Sequence, residues 1–88
     1  MRTVTLANGA EYTCDWAHID GDLMDQNVVT PATMPELAAA FGDPANTARI
    51  VLSHPEGPRI YEGYTDLRVL NAGGWAEGAT LIILKKEA

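Results

Sequence analysis

The run ARIVLSH from Ala48 to His54, PEGP from Pro55 to Pro58, and RIYEGYTDLRVL from Arg59 to Leu70 together decide the fold class. Both arms are crowded with β-branched and aromatic residues, which suit a pleated, half-buried surface. Between them, Pro55, Gly57 and Pro58 cannot continue a hydrogen-bonded ladder, so they mark a tight turn. Two antiparallel strands follow from this pattern, and the same grammar recurs towards both ends of the chain.

On the N-terminal side, Arg2 to Leu6 alternates, with Val4 and Leu6 on one face and Thr3 and Thr5 on the other. Asn8-Gly9 is a strong hairpin turn. A two-residue turn would pair Val4 with Thr13 and mix apolar with polar residues on each face. A three-residue loop with Gly9 in the left-handed region pairs Val4 with Tyr12 and Thr5 with Glu11. It places Val4, Leu6, Tyr12, Cys14 and Trp16 on one face, and a one-residue slip would flip them all. The bulged register is therefore expected, with Trp16 pointing inward. Asp20-Gly21 is a second turn, Leu23 to Val29 a weaker third strand, and Pro31 its end.

Thr33-Met-Pro-Glu36 opens a helix. Thr33 can cap the first turn while Glu36 reaches back, and Pro35 is tolerated where amides lack intrahelical partners. Met34, Leu37, Ala38 and Phe41 form one apolar stripe that must pack on a sheet. Gly42 suits the residue after the helix, and Pro44 blocks continuation. In the last strand, Ala79 to Lys86, Leu81 to Leu84 is apolar on both faces. That suggests a central strand or one that closes a barrel. The expected architecture is α+β and βββ-α-βββ. It is a curved or partly closed antiparallel sheet of about six strands with one short helix, in a single domain over 1–88.

Composition narrows the function classes. The net charge is −6, which disfavours direct binding to nucleic acid or anionic membrane because the phosphate contribution is repulsive. No apolar run approaches the roughly 20 residues that span a bilayer. MRTVTLANG starts straight into strand grammar, with none of the features of a signal peptide. Cys14 is the only cysteine, so no internal disulfide is available. This fits a reducing compartment or an assembled particle better than a small secreted scaffold.

Catalytic and metal signatures are weak. Cys14, His18 and His54 are too sparse and too scattered for a zinc site, which wants four ligands in close pairs. Asp20-Gly21-Asp22 resembles a calcium loop only superficially, because with Asp20 first the fifth position is Met24 and the last is Pro31. Ser53 and His54 are adjacent on a strand and point to opposite faces, so they do not form a nucleophile–base pair. Glu62 and Asp66 need a cleft to act as acid and base, and so short a chain has little room for one. No enzyme activity, cofactor, metal or small-molecule substrate is expected. Two features instead favour protein contact. Glu11, Asp15, Asp20, Asp22 and Asp25 fall in one stretch without Lys or Arg, which is either a solvated edge or a surface for a basic partner. Trp75 sits in the glycine-rich run Asn71 to Gly78, and a tryptophan there is either core or an interface anchor.

Three pieces of this sequence carry a resemblance: the N-terminal strand with its Asn8-Gly9 turn, the Met34-Pro-Glu-Leu37 helix ending in Phe41-Gly-Asp-Pro44, and the run Ile60-Tyr-Glu-Gly-Tyr-Thr-Asp-Leu67. Together they resemble small uncharacterised proteins encoded in the structural-gene region of prophages of Gram-positive gut bacteria. The run from Asn71 to Glu77 departs from the shorter, more polar turn of those proteins. The resemblance implies a virion or virion-assembly role, as a tail or head–tail component acting by protein–protein contact or self-association. It transfers no active-site residues. The alternative is an acidic phage-encoded inhibitor that blocks a basic nucleic-acid-binding surface of a host defence protein, with the acidic stretch as its working surface.

Overall fold

The computed structural model describes residues 1–74 and 76–87. Seven strands and two helices follow in the order β1 (Arg2–Thr5), β2 (Glu11–Asp20), β3 (Leu23–Val28), α1 (Met34–Gly42), α2 (Pro44–Thr47), β4 (Arg49–Leu52), β5 (Arg59–Glu62), β6 (Asp66–Ala72) and β7 (Thr80–Lys85). All strand pairs are antiparallel, in one open sheet ordered β5-β4-β1-β2-β3-β7-β6. The class is α+β as expected.

The first hairpin has the bulged register. Val4 lies opposite Tyr12 and Thr5 opposite Glu11. Leu6 N–H donates to Ala10 C=O at 2.9 Å, and Gly9 N–H to Leu6 C=O at 3.0 Å. Gly9 takes φ +90°, a conformation that costs glycine little. In α1, Thr33 Oγ1 accepts from Glu36 N–H and Glu36 Oε2 accepts from Thr33 N–H, each at 3.3 Å. The capping box is therefore present. Leu37 and Phe41 are buried on the concave side of the sheet, with the Phe41 ring 5.3 Å from that of Tyr12.

Three details of the element order differ from expectation. The run Arg59 to Leu70 is two strands, β5 and β6, because Gly63, Tyr64 and Thr65 interrupt it; this raises the count from six strands to seven. A second short helix begins at Pro44, capped by Asp43 Oδ1, which accepts from Ala45 N–H at 3.0 Å. Gly42 therefore ends α1 inside the helix, and extended Asp43 both stops one helix and starts the next. The last strand, β7, is next to one edge, paired with β3 and β6, and neither central nor closing.

The three-residue link between β5 and β6 bends the whole sheet, because these consecutive strands form its opposite edges. Four Cα steps reach at most about 15 Å. Seven strands laid flat would put the edges roughly 29 Å apart at the usual spacing. The sheet must therefore roll until its edges approach. Gly63 clasps them: its N–H donates to Ala48 C=O at 3.0 Å, and its C=O accepts from Glu87 N–H at 3.1 Å. Tyr64 fills the seam. Its hydroxyl donates to Gly21 C=O at 2.8 Å, its ring stands edge-on to Tyr61, and the Lys86 ammonium lies 5.7 Å from the ring centre.

Two bulges increase the curvature. On β2, Cys14 pairs with Val28 and Trp16 with Asn27, leaving Asp15 as the extra residue. On β6, Leu67 pairs with Leu84 and Val69 with Ile83, leaving Arg68 extra. The first bulge overturns the inward placement of Trp16. Beyond it, Ala17 and Ile19 join the core, while Trp16 turns to the outer face and is half-buried there. The core inside the roll is Val4, Leu6, Cys14, Met24, Val28, Leu37, Phe41, Ile50, Leu52, Tyr64, Ile82 and Leu84.

Candidate functional site

Register fixes which side chains share the outer face of β2-β3-β7-β6, because directly paired residues point the same way. Three cross-strand rows result: Trp16-Asn27-Leu81-Asn71, His18-Asp25-Ile83-Val69 and Asp20-Leu23-Lys85-Asp66. Val69, Leu81 and Ile83 are neighbours on β6 and β7, while Asp25 stands between His18 and Ile83 in the middle row and Leu23 lies in the end row between Asp20 and Lys85. Leu81 and Ile83 are half-buried, and Leu23 and Val69 are each 38% exposed. Around them stand His18, Asp20, Asp25, Lys85, Asp66 and Asn71. A small apolar patch bordered by polar and charged residues is compatible with a protein-contact surface. At one end the chain passes closely over Asn27, where a Cβ on Gly74 would collide with the Asn27 amide.

The acidic residues expected to bind a partner do not form one bare patch. Asp20 and Asp25 belong to the outer face. Asp22, in the β2–β3 turn, has Oδ2 3.9 Å from Lys85 Nζ, and Asp66 is paired with Arg68 at 2.7 Å. Asp15 stands in the bulge, five residues before Asp20 along the strand, so roughly 16 Å away at the usual rise. Trp75 lies outside the described residues. Sequence reasoning missed Leu23, Val69, Leu81 and Ile83 as surface residues. Their only signal was the two-faced apolar run from Leu81 to Leu84.

A second feature is a notch on the concave side. Strand β1 ends at Arg2, opposite Cys14, while β2 runs on to Asp20. Beyond that point Ala17 and Ile19 pair with Gln26 and Met24 of β3. Arg2 spans the gap: its Nε donates to Ser53 C=O at 3.0 Å and its Nη1 to Ala17 C=O at 3.3 Å. Arg59, His54 and Tyr61 complete a depression of about 230 Å³. Among the described residues, no carboxylate pairs with Arg2. Arg59 has Glu56 at 3.5 Å, exposed to solvent. A larger depression of about 430 Å³ is lined by the charged residues Asp22, Asp66, Arg68, Lys85, Lys86 and Glu87.

Other candidate groups stay apart. Burial pushes the Cys14 thiol from 9.0 up to about 12, against a smaller opposing effect of Arg2, so it is protonated and inert at neutral pH. Among the described residues, no three of His, Cys, Asp and Glu gather as metal ligands. Ser53 Oγ accepts from Thr3 N–H at 2.8 Å, and His54 Nδ1 accepts from Glu56 N–H at 3.2 Å, so each serves the local turn. Among the described residues, no helix is long and apolar enough to cross a membrane. Comparison with protein-family models, with curated proteins and with solved structures finds no match.

Proposed function

We propose that this chain is a small protein–protein contact module of a phage particle or its assembly pathway, a tail or head–tail component. The observation that carries the contact reading is the outer face of β2-β3-β7-β6. Its apolar patch of Val69, Leu81 and Ile83, with Leu23 set apart between Asp20 and Lys85, lies on the side of the sheet away from α1. The phage setting rests on the resemblance described above. The rim holds Asp20, Asp25 and Asp66 against Lys85 and His18, so the fitting partner is a particle subunit with an apolar patch edged by basic residues. The inhibitor reading is less well supported, since Asp22 already faces Lys85 of the chain itself and Asp15 stands in the bulge, apart from Asp20 and Asp25.

The test is capture of particle proteins from a lysate of the lysogenic host, with the full chain as bait. Val69→Glu puts a charge into the apolar patch at an exposed position, so it leaves folding within about 0.5 kcal/mol. It abolishes capture if this face is the interface. Trp75→Ala is the companion variant, chosen from its glycine-rich surroundings. Capture that survives Val69→Glu, or a host nuclease-type protein captured in place of particle subunits, rejects the reading.

A further inference from the structure

We propose that Asn8, at the tip of the first hairpin, is a self-modification site, where the side-chain amide is lost to the neighbouring backbone and replaced by a carboxylate. This goes beyond the outer-face reading and uses none of its residues.

The chain has four asparagines, Asn8, Asn27, Asn46 and Asn71. An asparagine loses its amide when the backbone nitrogen of the next residue attacks its Cγ. The next residue and the freedom of the segment therefore decide the rate. Asn27 is fully buried and precedes Val28, whose branched side chain crowds the attacking nitrogen. Asn46 precedes Thr47, also branched, and its Nδ2 donates to Ala40 C=O at 3.1 Å. Asn71 is exposed, but it precedes Ala72 and is held in β6 opposite Leu81. Asn8 and Gly9 are both exposed, and a Cβ built on Gly9 would meet nothing within 4 Å. Glycine presents its nitrogen without a side chain and leaves the backbone free to turn.

Local hydrogen bonds prepare the amide. Ala10 N–H donates to Asn8 Oδ1 at 3.0 Å, which folds the side chain back over the turn. The ring closed by this bond contains both Asn8 Cγ and Gly9 N. A donor on Oδ1 also draws electron density from Cγ and stabilises the oxyanion that attack creates, as in acyl transfer. One bond opposes the reaction, because Gly9 N–H donates to Leu6 C=O at 3.0 Å. At an exposed loop tip such a bond opens at low cost. Base then removes the Gly9 amide proton, the nitrogen attacks Cγ, and an N–Cγ bond forms. The Cγ–Nδ2 bond breaks and ammonia leaves. Water opens the resulting succinimide at either carbonyl. One product is aspartate at position 8, and the other is isoaspartate, in which the main chain runs through the former side chain.

The two products differ in how they fit the hairpin. Leu6 N–H is held on Ala10 C=O and Ala7 N–H on Asn46 C=O, each at 2.9 Å. Aspartate keeps this backbone path. Isoaspartate adds one main-chain atom between Leu6 and Ala10, so these bonds and the burial of Leu6 are not all kept. Either product makes the chain one charge more negative than −6.

The test is mass spectrometry of the full chain after incubation at mildly alkaline pH, folded and in concentrated urea. Cleavage at Asp and Glu then puts the four asparagines on separate peptides. In the folded protein the Asn8 peptide should gain about 1 Da at least about tenfold faster than the other three. Asn8→Gln, whose amide must close a larger ring, should lose this conversion and keep its urea midpoint. Asn8→Asp should match the midpoint of the parent, while the isoaspartate fraction, separated by chromatography, should unfold at lower urea. Conversion of Asn8 in urea but not in the folded protein would overturn the proposal, because the hairpin would then protect the amide. Conversion of Asn71 as fast as Asn8 would overturn the role of Gly9. An isoaspartate fraction as stable as Asn8→Asp would overturn the conflict with the hairpin register. Val69→Glu changes none of these readouts, so failure here is distinct from failure of the outer face.

Discussion

Replacing Gln26 by Met should stabilise this protein. Gln26 is fully buried inside the roll, across from Ala17 on β2 and Ile82 on β7. Among the described residues, neither its Nε2 nor its Oε1 has a hydrogen-bond partner. A buried amide left unsatisfied costs about 1–3 kcal/mol relative to a satisfied or apolar group. Met has nearly the same length and an unbranched stem, so it occupies the same space and loses similar rotamer freedom on burial. A volume-conserving exchange in a packed core costs less than about 1.5 kcal/mol. The expected balance is a gain of about 1 kcal/mol. In a domain of this size that raises Tm by about 4–8 °C. Urea titration and thermal melts of both proteins at neutral pH measure it. A loss of 1 kcal/mol or more would refute the reasoning, since it would mean that the amide is fully hydrogen-bonded in solution, as by an internal water.

Thr33→Ala removes the acceptor for Glu36 N–H and half of the capping box; the urea midpoint should fall by the equivalent of about 1 kcal/mol. Gly63→Ala should cost about 1–2 kcal/mol in the same assay, because Gly63 sits at φ +84° and a Cβ there would touch Lys86, with the edge clasp held in that conformation. The Cys14 thiol ionises near 9.0 when unfolded and near 12 when folded. Between these values the unfolded chain binds fewer protons, so stability is unaffected below about pH 9 and falls as pH rises towards 12. The pH slope of stability should therefore be shallower in Cys14→Ala than in the parent protein, and equal slopes would count against the burial argument. Alkylation of Cys14 by iodoacetamide should likewise proceed only through unfolding, at a rate that follows urea concentration.

Much of the local structure was legible because it is decided within a few residues. Gly9 and the alternation from Arg2 to Leu6 specify the first hairpin, since only the bulged register keeps Val4 and Tyr12 on one face. Thr33, Pro35 and Glu36 specify where the helix begins, because capping is a contact between residues three apart. The α+β class follows from these elements and from the arms around Pro55 to Pro58. What the sequence could not reveal depends on pairing between distant segments. That Arg59–Glu62 and Asp66–Ala72 lie at opposite edges of the sheet follows from β5 pairing with β4 and β6 with β7, although only three residues separate them. The bulge at Asp15, seen only once β3 is in place, sends Trp16 outward and Ala17 inward. The apolar patch of the outer face is a product of that long-range register. A strand's two faces look alike in sequence until its neighbours choose which one is buried.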